Sequence, residues 1–594
     1  MAEGNAMETD VLIIGGGAAG LTAAMLLARQ DVDFLLVSRH PGTSHLPKAH
    51  VLFQKTMEIF GELGIAEEIY AKGTPPDQMR YNAWYAGLAA PKGEAKGDWG
   101  RQIFRKECWG AGKTHTAWLG ASPRPATNLP QITLEPIMKA HADELAPGRI
   151  RFNHCFVSLQ QGEGGVAAVI EDRATGEHYI VRAKYLLGCD GGRVIGEAVG
   201  VTMEGPPKFA TQISMHFSAD LSEWTNDDPE VLIRVIKNPD NGDQGVLLPM
   251  GPTWGPKCEE WGVGVGNPYG DDMTDEMALV RMRALLGLPD HPMTVRRFSR
   301  WAMEGLLAPK FRVGNVFLLG DSAHRHPPTG GLGLNTAVQD AYNICWKLAA
   351  VLRGQASDAL LDSYEAERLP VAKLVVETAL QNTMKHFEMN GVIGFTPEST
   401  AEERWANLRK LWNGGPDNAA LQRQFFELAA TMRTEYDSLN ITFGYTYQAG
   451  ALIADGELPP LSPDDVSIYR PTTTPGATVP ASDLRRYGEN SSIEQLTGHG
   501  QFVLIAGEDG ADWRAAAGKL ATETGLPLEA LTIGAKGADW IDWRFDWTKH
   551  GEISPRGAVL VRPDRFVAWR SKEASGNPYM ALKRVFETLL AQPS

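Results

Sequence analysis

Cysteine is scarce in this chain. Its 594 residues include five, Cys108, Cys155, Cys189, Cys258 and Cys345. The number is odd and no pair has Cys-x-x-Cys spacing, so neither a disulfide framework nor a structural zinc site is expected, and a reducing cytoplasm fits. Basic residues are also in deficit, with 57 Lys and Arg against 72 Asp and Glu and a net charge of −15. An acidic surface repels phosphate backbones and anionic lipid, which argues against nucleic acid and membrane as partners. Long apolar runs are missing too. The uncharged stretch Val11 to Ala28 is interrupted by three consecutive glycines and preceded by Glu3, Glu8 and Asp10. Neither a membrane span nor a signal peptide is therefore expected.

What is present is globular. Hydrophobic residues make up 43% and charged residues 22%, which excludes a disordered, collagen-like or coiled-coil chain. The length implies about two to four domains.

The N-terminus reads strand, turn, helix, strand. Asp10 to Ile14 is a short apolar run of the kind buried in parallel sheets, Leu21 to Gln30 is Ala/Leu-rich, and Asp33 to Val37 is apolar again. Lys55 to Ala71 carries Met57, Ile59, Phe60, Leu63 and Ile69 at helical spacing, and Leu134 to Leu145 predicts another helix. Arg149 to Arg182 alternates like a β-meander, and residues 205 to 300 are rich in β-type runs. Lys184 to Gly188 and Asn315 to Leu319 read as buried strands, and Asn335 to Leu352 as a long helix. Beyond a Pro/Thr-rich joint at Pro471 to Pro475, the order strand, helix, strand, hairpin, helix resembles thioredoxin. No cysteine follows Cys345, so that tail cannot perform thiol–disulfide exchange.

Two motifs carry chemistry. Gly15-x-Gly17-x-x-Gly20, with Ala19 inside it, opens a helix directly after a strand. Glycines there allow a tight turn and close backbone approach, and the helix N-terminus attracts a pyrophosphate. The acidic ribose ligand expected at the end of the second strand is replaced by Ser38, followed by Arg39. That alone leaves FAD and a nicotinamide cofactor undecided. The second motif is Phe317-Leu-Leu-Gly-Asp321, continuing through Ser322-Ala-His324-Arg-His326-Pro327-Pro328 to Gly331-Leu-Gly333-Leu334-Asn335. Asp321 at a strand's C-terminal end suits a polyol such as ribitol. Free amides at the following helix start suit an anionic ring edge. Together they point to FAD.

At these residues the chain resembles the group A FAD-dependent aromatic hydroxylases of the phenol hydroxylase type, from about Glu8 to Arg368. Gly188-Cys-Asp190-Gly191 is similar to the family's central Asp-Gly motif, tied to FAD and NAD(P)H, although Gly192-Arg193-Val194 replaces its usual continuation. Pro47 to Val51, Lys55 to Glu58, Leu129 to Glu135, Gly320 to Pro328 and Gln339 to Asn343 are similar to the 2,4-dichlorophenol 6-monooxygenase branch.

The resemblance implies an α/β fold: a Rossmann-like FAD-binding domain with an inserted β-sheet substrate domain and a C-terminal thioredoxin-like domain. The expected boundaries are 1–200 and 306–400 for the two FAD parts, 201–305 for the substrate sheet, 401–480 for a connecting region and 481–594 for the tail. The tail should serve packing or dimer contacts, so its removal should spare the flavin, and a homodimer is expected. By the same resemblance Gln131 contacts FAD, Asp321 the ribitol and Pro327 the isoalloxazine edge. Leu334 and Asn335, beside Gly333, offer amides to the pyrimidine ring. Lys48 falls where relatives carry an arginine near the flavin.

His50 falls where phenol hydroxylases place an aspartate near the substrate hydroxyl, and histidine can take a phenol proton near neutral pH. The Asp-x-x-His spacing predicts that His324 orients Asp321. The implied reaction uses NADPH or NADH to reduce tightly bound FAD, and O2 adds at flavin C4a to give a hydroperoxide that hydroxylates a small aromatic substrate. His324-Arg-His326 lacks a metal-ligand pattern, and no Gly-x-Ser-x-Gly follows a strand. Two alternatives stay open: an oxygenase for a larger natural-product ring or of Baeyer–Villiger type, and an FAD-binding protein without turnover.

Overall fold

Val11–Ile14 are buried, four apolar side chains in succession. Such a run needs cover on both faces of its sheet, and the structure supplies it. The computed structural model describes residues 6–591 except 92, 94, 113, 114, 457, 463, 464 and 536. Ala6–Ile14 is the centre of a parallel arrangement, flanked by Glu177–Gly188 and Phe34–Ser38. Val316–Leu318 and Ile150–Phe152 extend it in parallel on either side. The meander expected between 149 and 182 is present as His154–Gly162 and Gly165–Asp172, each antiparallel to its neighbour.

Two helices close one face of this sheet. Ala18–Arg29 carries fully buried Ala23 and Ala24, and Gly333–Leu352 carries fully buried Ala341 and Cys345. Small residues on both helices allow a close approach, near enough for Cys345 Sγ to reach Ala23 O at 3.9 Å. The expected helix over Lys55 to Ala71 is two helices, Gln54–Leu63 and Ala66–Lys72. Gly64 ends the first in the left-handed region at φ 86°, where glycine stops a helix without strain. The helix expected from Leu134 begins at Gln131.

Among the described residues a second, seven-stranded sheet runs in the order Thr294–Met303, Ala210–Ser218, Glu260–Gly266, Gln244–Gly251, Val231–Lys237, Tyr81–Ala86, Gln102–Glu107. It draws its last two strands from within the first 200 residues. One face packs Ile213, Met215, Phe217, Val263 and Val265 on the helix Asp275–Leu286. Trp84, on the other face, belongs to a core that includes Val375 and Met389 of the 31-residue helix Asp362–Val392 and Val51 and Phe53 of the first domain.

The C-terminal unit orders its central strands Leu528–Gly534, Phe502–Ala506, Ala558–Val561, Val567–Ser571. The first pair is parallel and the others antiparallel. Helices Ala511–Thr524 and Pro578–Leu589 complete the thioredoxin-like pattern. Its seam with the first domain is charged and buried: Lys347, Glu367 and Arg562 have fully buried side chains, and Asp564 is 1% exposed. Among the described residues no helix is long and apolar enough to cross a membrane.

Candidate functional site

The parallel strands end at one sheet edge, and the chemistry-bearing segments follow from those ends. Gly15 leaves Ile14, Asp190 follows Gly188, Ser38 ends its strand, and Asp321 lies three residues past Leu318. In open α/β sheets ligands bind in the crevice beyond these carboxyl ends.

The glycine turn separates two requirements. Gly15 has φ +119°, and a Cβ there would stand 2.1 Å from Cys189 O; a Cβ on Gly20 would stand 1.9 Å from Gly15 O. Both glycines are needed to close the turn on the protein itself. Gly17 differs, because a Cβ there would meet only Glu135 Oε1 at 3.7 Å. The protein leaves that side of Gly17 open, as a cradle for a ligand backbone requires. Gly17 begins the helix Ala18–Arg29, which has no side-chain cap and no acidic residue in its first turn. Ala19 is buried within that turn. The exposed positive end of the helix dipole therefore suits an anion.

Asp321 is exposed, and its carboxylate makes no hydrogen bond or ion pair among the described residues. His324 does not orient it. His324 Nε2 instead meets Asp340 Oδ2 at 2.8 Å, fully buried. Asp340 also accepts from Gly320 N at 3.0 Å and from Arg368 Nε at 2.9 Å. Burial would raise the pKa of Asp340, but His324 and Arg368 hold it below the usual carboxylate range. Asp340 thus pins the turn carrying Asp321, and His324 braces Asp340. Local spacing favoured Asp321 as partner, but the fold brings a helix residue closer.

Asp190, in the central Asp-Gly motif, organises the loop that follows it. Its Oδ2 accepts from Val194 N at 2.6 Å and Ile195 N at 3.0 Å, and its Oδ1 accepts from Ser322 Oγ at 2.6 Å. The carboxylate ties its own loop to the residue beside Asp321.

The helix Gly333–Leu352 likewise starts without a side-chain cap or an acidic first turn. Leu334 and Asn335 are buried there. The Asn335 side chain accepts from Phe53 N at 2.8 Å and donates to Val51 O at 2.9 Å and Gly331 O at 2.8 Å. This fastens the helix start to the segment after His50 and leaves only backbone amides to face outward. Pro327 is buried beside it, its carbonyl accepting from His326 Nδ1 at 2.9 Å.

Gln131 docks by its backbone, its N–H donating to Ala49 O at 2.8 Å. Its Nε2 donates to Glu135 Oε1 at 2.5 Å. Burial pushes the Glu135 pKa up. Ser38 is 4% exposed, with its Cβ 3.1 Å from the place a Gly16 Cβ would take.

A basic rim, not anticipated from sequence, gathers around His40 and His45. The pKa of His40 is lowered by burial and then by Arg39, Lys48, Arg193 and His45. That of His45 is lowered by burial, Arg297 and Lys48. These cations converge from separate segments, so sequence spacing gave no signal of the cluster. Lys48 itself takes a left-handed conformation at φ 45°.

His50 is partly buried. Its Nδ1 meets Asn128 Oδ1 at 2.6 Å, and burial lowers its pKa. Among the described residues no cluster of three or more His, Cys, Asp or Glu could hold a metal ion.

The open cradle at Gly17, the free Asp321 carboxylate and the uncapped helix at Gly333 fit a bound dinucleotide with an anionic ring edge, the site of a flavoprotein. Comparison with known proteins agrees. The FAD binding domain family matches residues 8–379, and the aromatic-ring hydroxylase C-terminal family matches residues 472–593. The chain is 35% identical over 591 residues to a 2,4-dichlorophenol 6-monooxygenase of Delftia acidovorans, covering 98% of each. It is 33% identical to the tetracenomycin A2 monooxygenase-dioxygenase of Streptomyces glaucescens, covering 99% of this chain and 98% of that one. The crystal structure of the flavin-dependent monooxygenase PieE, in complex with FAD and substrate, matches with a TM-score of 0.91 at 36% identity, over 99% and 100% of the two chains. The chain belongs to the group A FAD-dependent aromatic hydroxylases.

Proposed function

We propose that this chain is an FAD-dependent, NAD(P)H-consuming monooxygenase that hydroxylates a phenol-like ring. The observation that carries the reading is the meeting of the open Gly17 turn, the unpaired Asp321 and the uncapped Gly333 helix at one sheet edge, with His50 close by in the chain segment that Asn335 fastens to that helix. Gly15, Gly17, Ala19 and Gly20 receive the pyrophosphate, Ser38 and Arg39 the adenosine ribose, and Asp321 the ribitol. Pro327, Gly333, Leu334 and Asn335 border the isoalloxazine, with Lys48 and Gln131 beside it. Bound FAD supplies two-electron transfer and oxygen activation. The basic rim of Arg39, Lys48 and Arg193 on a chain of net charge −15 supports an anionic co-substrate such as NAD(P)H. His50 takes the phenol proton.

A second reading, a larger multi-ring phenol, is favoured by one feature. Gly262, Gly264 and Gly266 pair with His216, Ser214 and Gln212, so all three lie on the sheet face opposite the helix Asp275–Leu286. A Cβ on Gly266 would meet nothing within 4 Å. The relative named as a tetracenomycin A2 monooxygenase-dioxygenase, and one named as a polyketide hydroxylase, are consistent with this reading.

The test is purified protein mixed with NADPH or NADH and a panel of one-ring and fused-ring phenols, reading O2 uptake and product. Substrate-dependent NAD(P)H consumption with a hydroxylated product is expected. Protein that is colourless and cannot be reconstituted with FAD, or that responds to no phenol, would overturn the reading.

A further inference from the structure

The short strand Val51–Leu52 pairs antiparallel with Thr127–Asn128, and His50 O accepts from Leu129 N at 2.7 Å. The register sets Val51 opposite Asn128 and His50 opposite Leu129, so the backbone holds His50 one residue from Asn128 before any side chain is considered. Asn128 is fully buried. Its Nδ2 donates to Thr74 Oγ1 at 2.7 Å, and its carbonyl accepts from Thr74 N at 2.9 Å. Thr74 is only 3% exposed. With Nδ2 turned to Thr74, the amide oxygen Oδ1 faces His50 Nδ1 at 2.6 Å.

A carboxamide oxygen only accepts, so Nδ1 must carry the hydrogen of that bond. A neutral imidazole has one N–H, which leaves Nε2 as a bare lone pair. Nε2 has no hydrogen-bond partner among the described residues. Burial and the Asn128 bond are the influences that act on His50; no Lys, Arg, Asp or Glu of any packed element shifts it.

We propose that Asn128, held by Thr74, is a positioning residue that fixes His50 as the Nδ1–H tautomer and so presents Nε2 to the substrate hydroxyl. The proposal rests on the reading of His50 as the base. In the step, the phenol O–H bond breaks and its proton bonds to Nε2. The bonding pair stays on the oxygen as phenolate, and the ring becomes imidazolium. A neutral amide suits this task better than a carboxylate would. A carboxylate would stabilise imidazolium in the resting protein and raise the pKa of the base.

The experiment uses the FAD-loaded protein with 15N-labelled histidine, His50 being assigned by its disappearance in His50→Gln. Nitrogen spectra are expected to show Nδ1 protonated and Nε2 bare. A second readout mixes reduced enzyme and phenol with O2 and follows one turnover against pH. Asn128→Leu is expected to mix the tautomers and slow hydroxylation about tenfold or more. Asn128→Asp is expected to shift the acid limb of the rate upward by about one pH unit. If Asn128→Leu does not fold, Thr74→Val carries the test, since it removes the hydroxyl that turns the amide and should also mix the tautomers. A wild-type His50 protonated at Nε2, or variants keeping both the tautomer and the pH profile, would overturn the proposal. Wild-type protein that hydroxylates no phenol would instead sink the hydroxylase reading, and the nitrogen spectra would still decide the tautomer.

Discussion

Arg562 Nη1 and Glu367 Oε1 lie 2.7 Å apart with neither side chain exposed, one on the C-terminal unit and the other on the helix Asp362–Val392. A second contact joins Arg562 Nη2 to Glu367 Oε2 at 2.8 Å, making the pair bidentate. Lys347, on the helix that starts at Gly333, reaches the same carboxylate at 2.8 Å, and Asp564 accepts from Arg562 at 2.5 Å. Two cations and two anions thus balance in a buried seam. Burial would push the Glu367 pKa up, but Arg562 and Lys347 override it and hold it at about 2.

Removing one member of such a group leaves a buried charge without compensation, at a cost of roughly 3–5 kcal/mol. Arg562→Met should therefore destabilise the protein by about that amount, and Arg562→Lys should restore little, because an ammonium cannot reproduce the bidentate geometry. Urea unfolding of the two variants checks this. The same geometry revises the expectation for the tail. A chain cut near Pro475 takes Arg562 from Glu367, which then keeps only Lys347, and Arg565 from Glu62, which it pairs at 3.0 Å. Such a chain should lose both its folded first domain and its flavin. A truncated protein that stays yellow and melts normally would contradict this account of the seam.

The glycines of the turn give a contrast that separates folding from cofactor binding. Gly20→Ala drives a Cβ into Gly15 O at 1.9 Å and should destabilise the apoprotein by roughly 1–3 kcal/mol. Gly17 has φ −88° and ψ −170°, which any residue adopts, and its nearest neighbour is 3.7 Å away. Gly17→Ala should leave apoprotein stability within about 0.5 kcal/mol and weaken FAD about tenfold or more, since the methyl occupies the approach of the pyrophosphate. Thermal melts of apoprotein and FAD titrations read the two effects separately. Equal FAD affinity in Gly17→Ala would remove this turn as the phosphate cradle.

The sequence was most legible where local spacing and local structure coincide. Gly15, Gly17 and Gly20 declare a strand-turn-helix because three positions a few residues apart belong to one turn. The run Phe317 to Asp321 is read the same way, and the thioredoxin-like order follows from short periodic segments. Legibility fails where the fold joins distant residues. Tyr81–Ala86 and Gln102–Glu107 cross to the substrate sheet because Tyr81–Ala86 pairs with Val231–Lys237, and nothing in their own pattern names that partner. His324 passes over Asp321 at three residues for Asp340 at sixteen, since a buried helix carboxylate needs a donor more than an exposed one does. Asn128 was invisible for the same reason, its partners Thr74 and His50 being far away in the chain.

His326 supplies a test by acid. Its Nδ1 donates to Pro327 O at 2.9 Å, while its buried Nε2 has no hydrogen-bond partner. Burial is the largest influence on its pKa and lowers it to about 4. An unfolded chain binds a proton at this ring below its ordinary value of about 6.5, but the folded chain refuses one until about 4. The stability tied to the neutral ring is therefore complete above about pH 6.5 and is lost as the pH falls toward about 4, by up to about 1.4 kcal/mol per pH unit. Between pH 7 and pH 5 this amounts to about 2 kcal/mol. His326→Gln keeps a polar side chain without the titration, so its loss of stability over that interval should be smaller than the wild type's by about that amount. Urea unfolding of the two apoproteins at both pH values makes the comparison, with every other titrating group common to both. Equal losses would mean that the folded protein accepts a proton on His326 as readily as the unfolded chain, and that the ring is not confined as its contacts require.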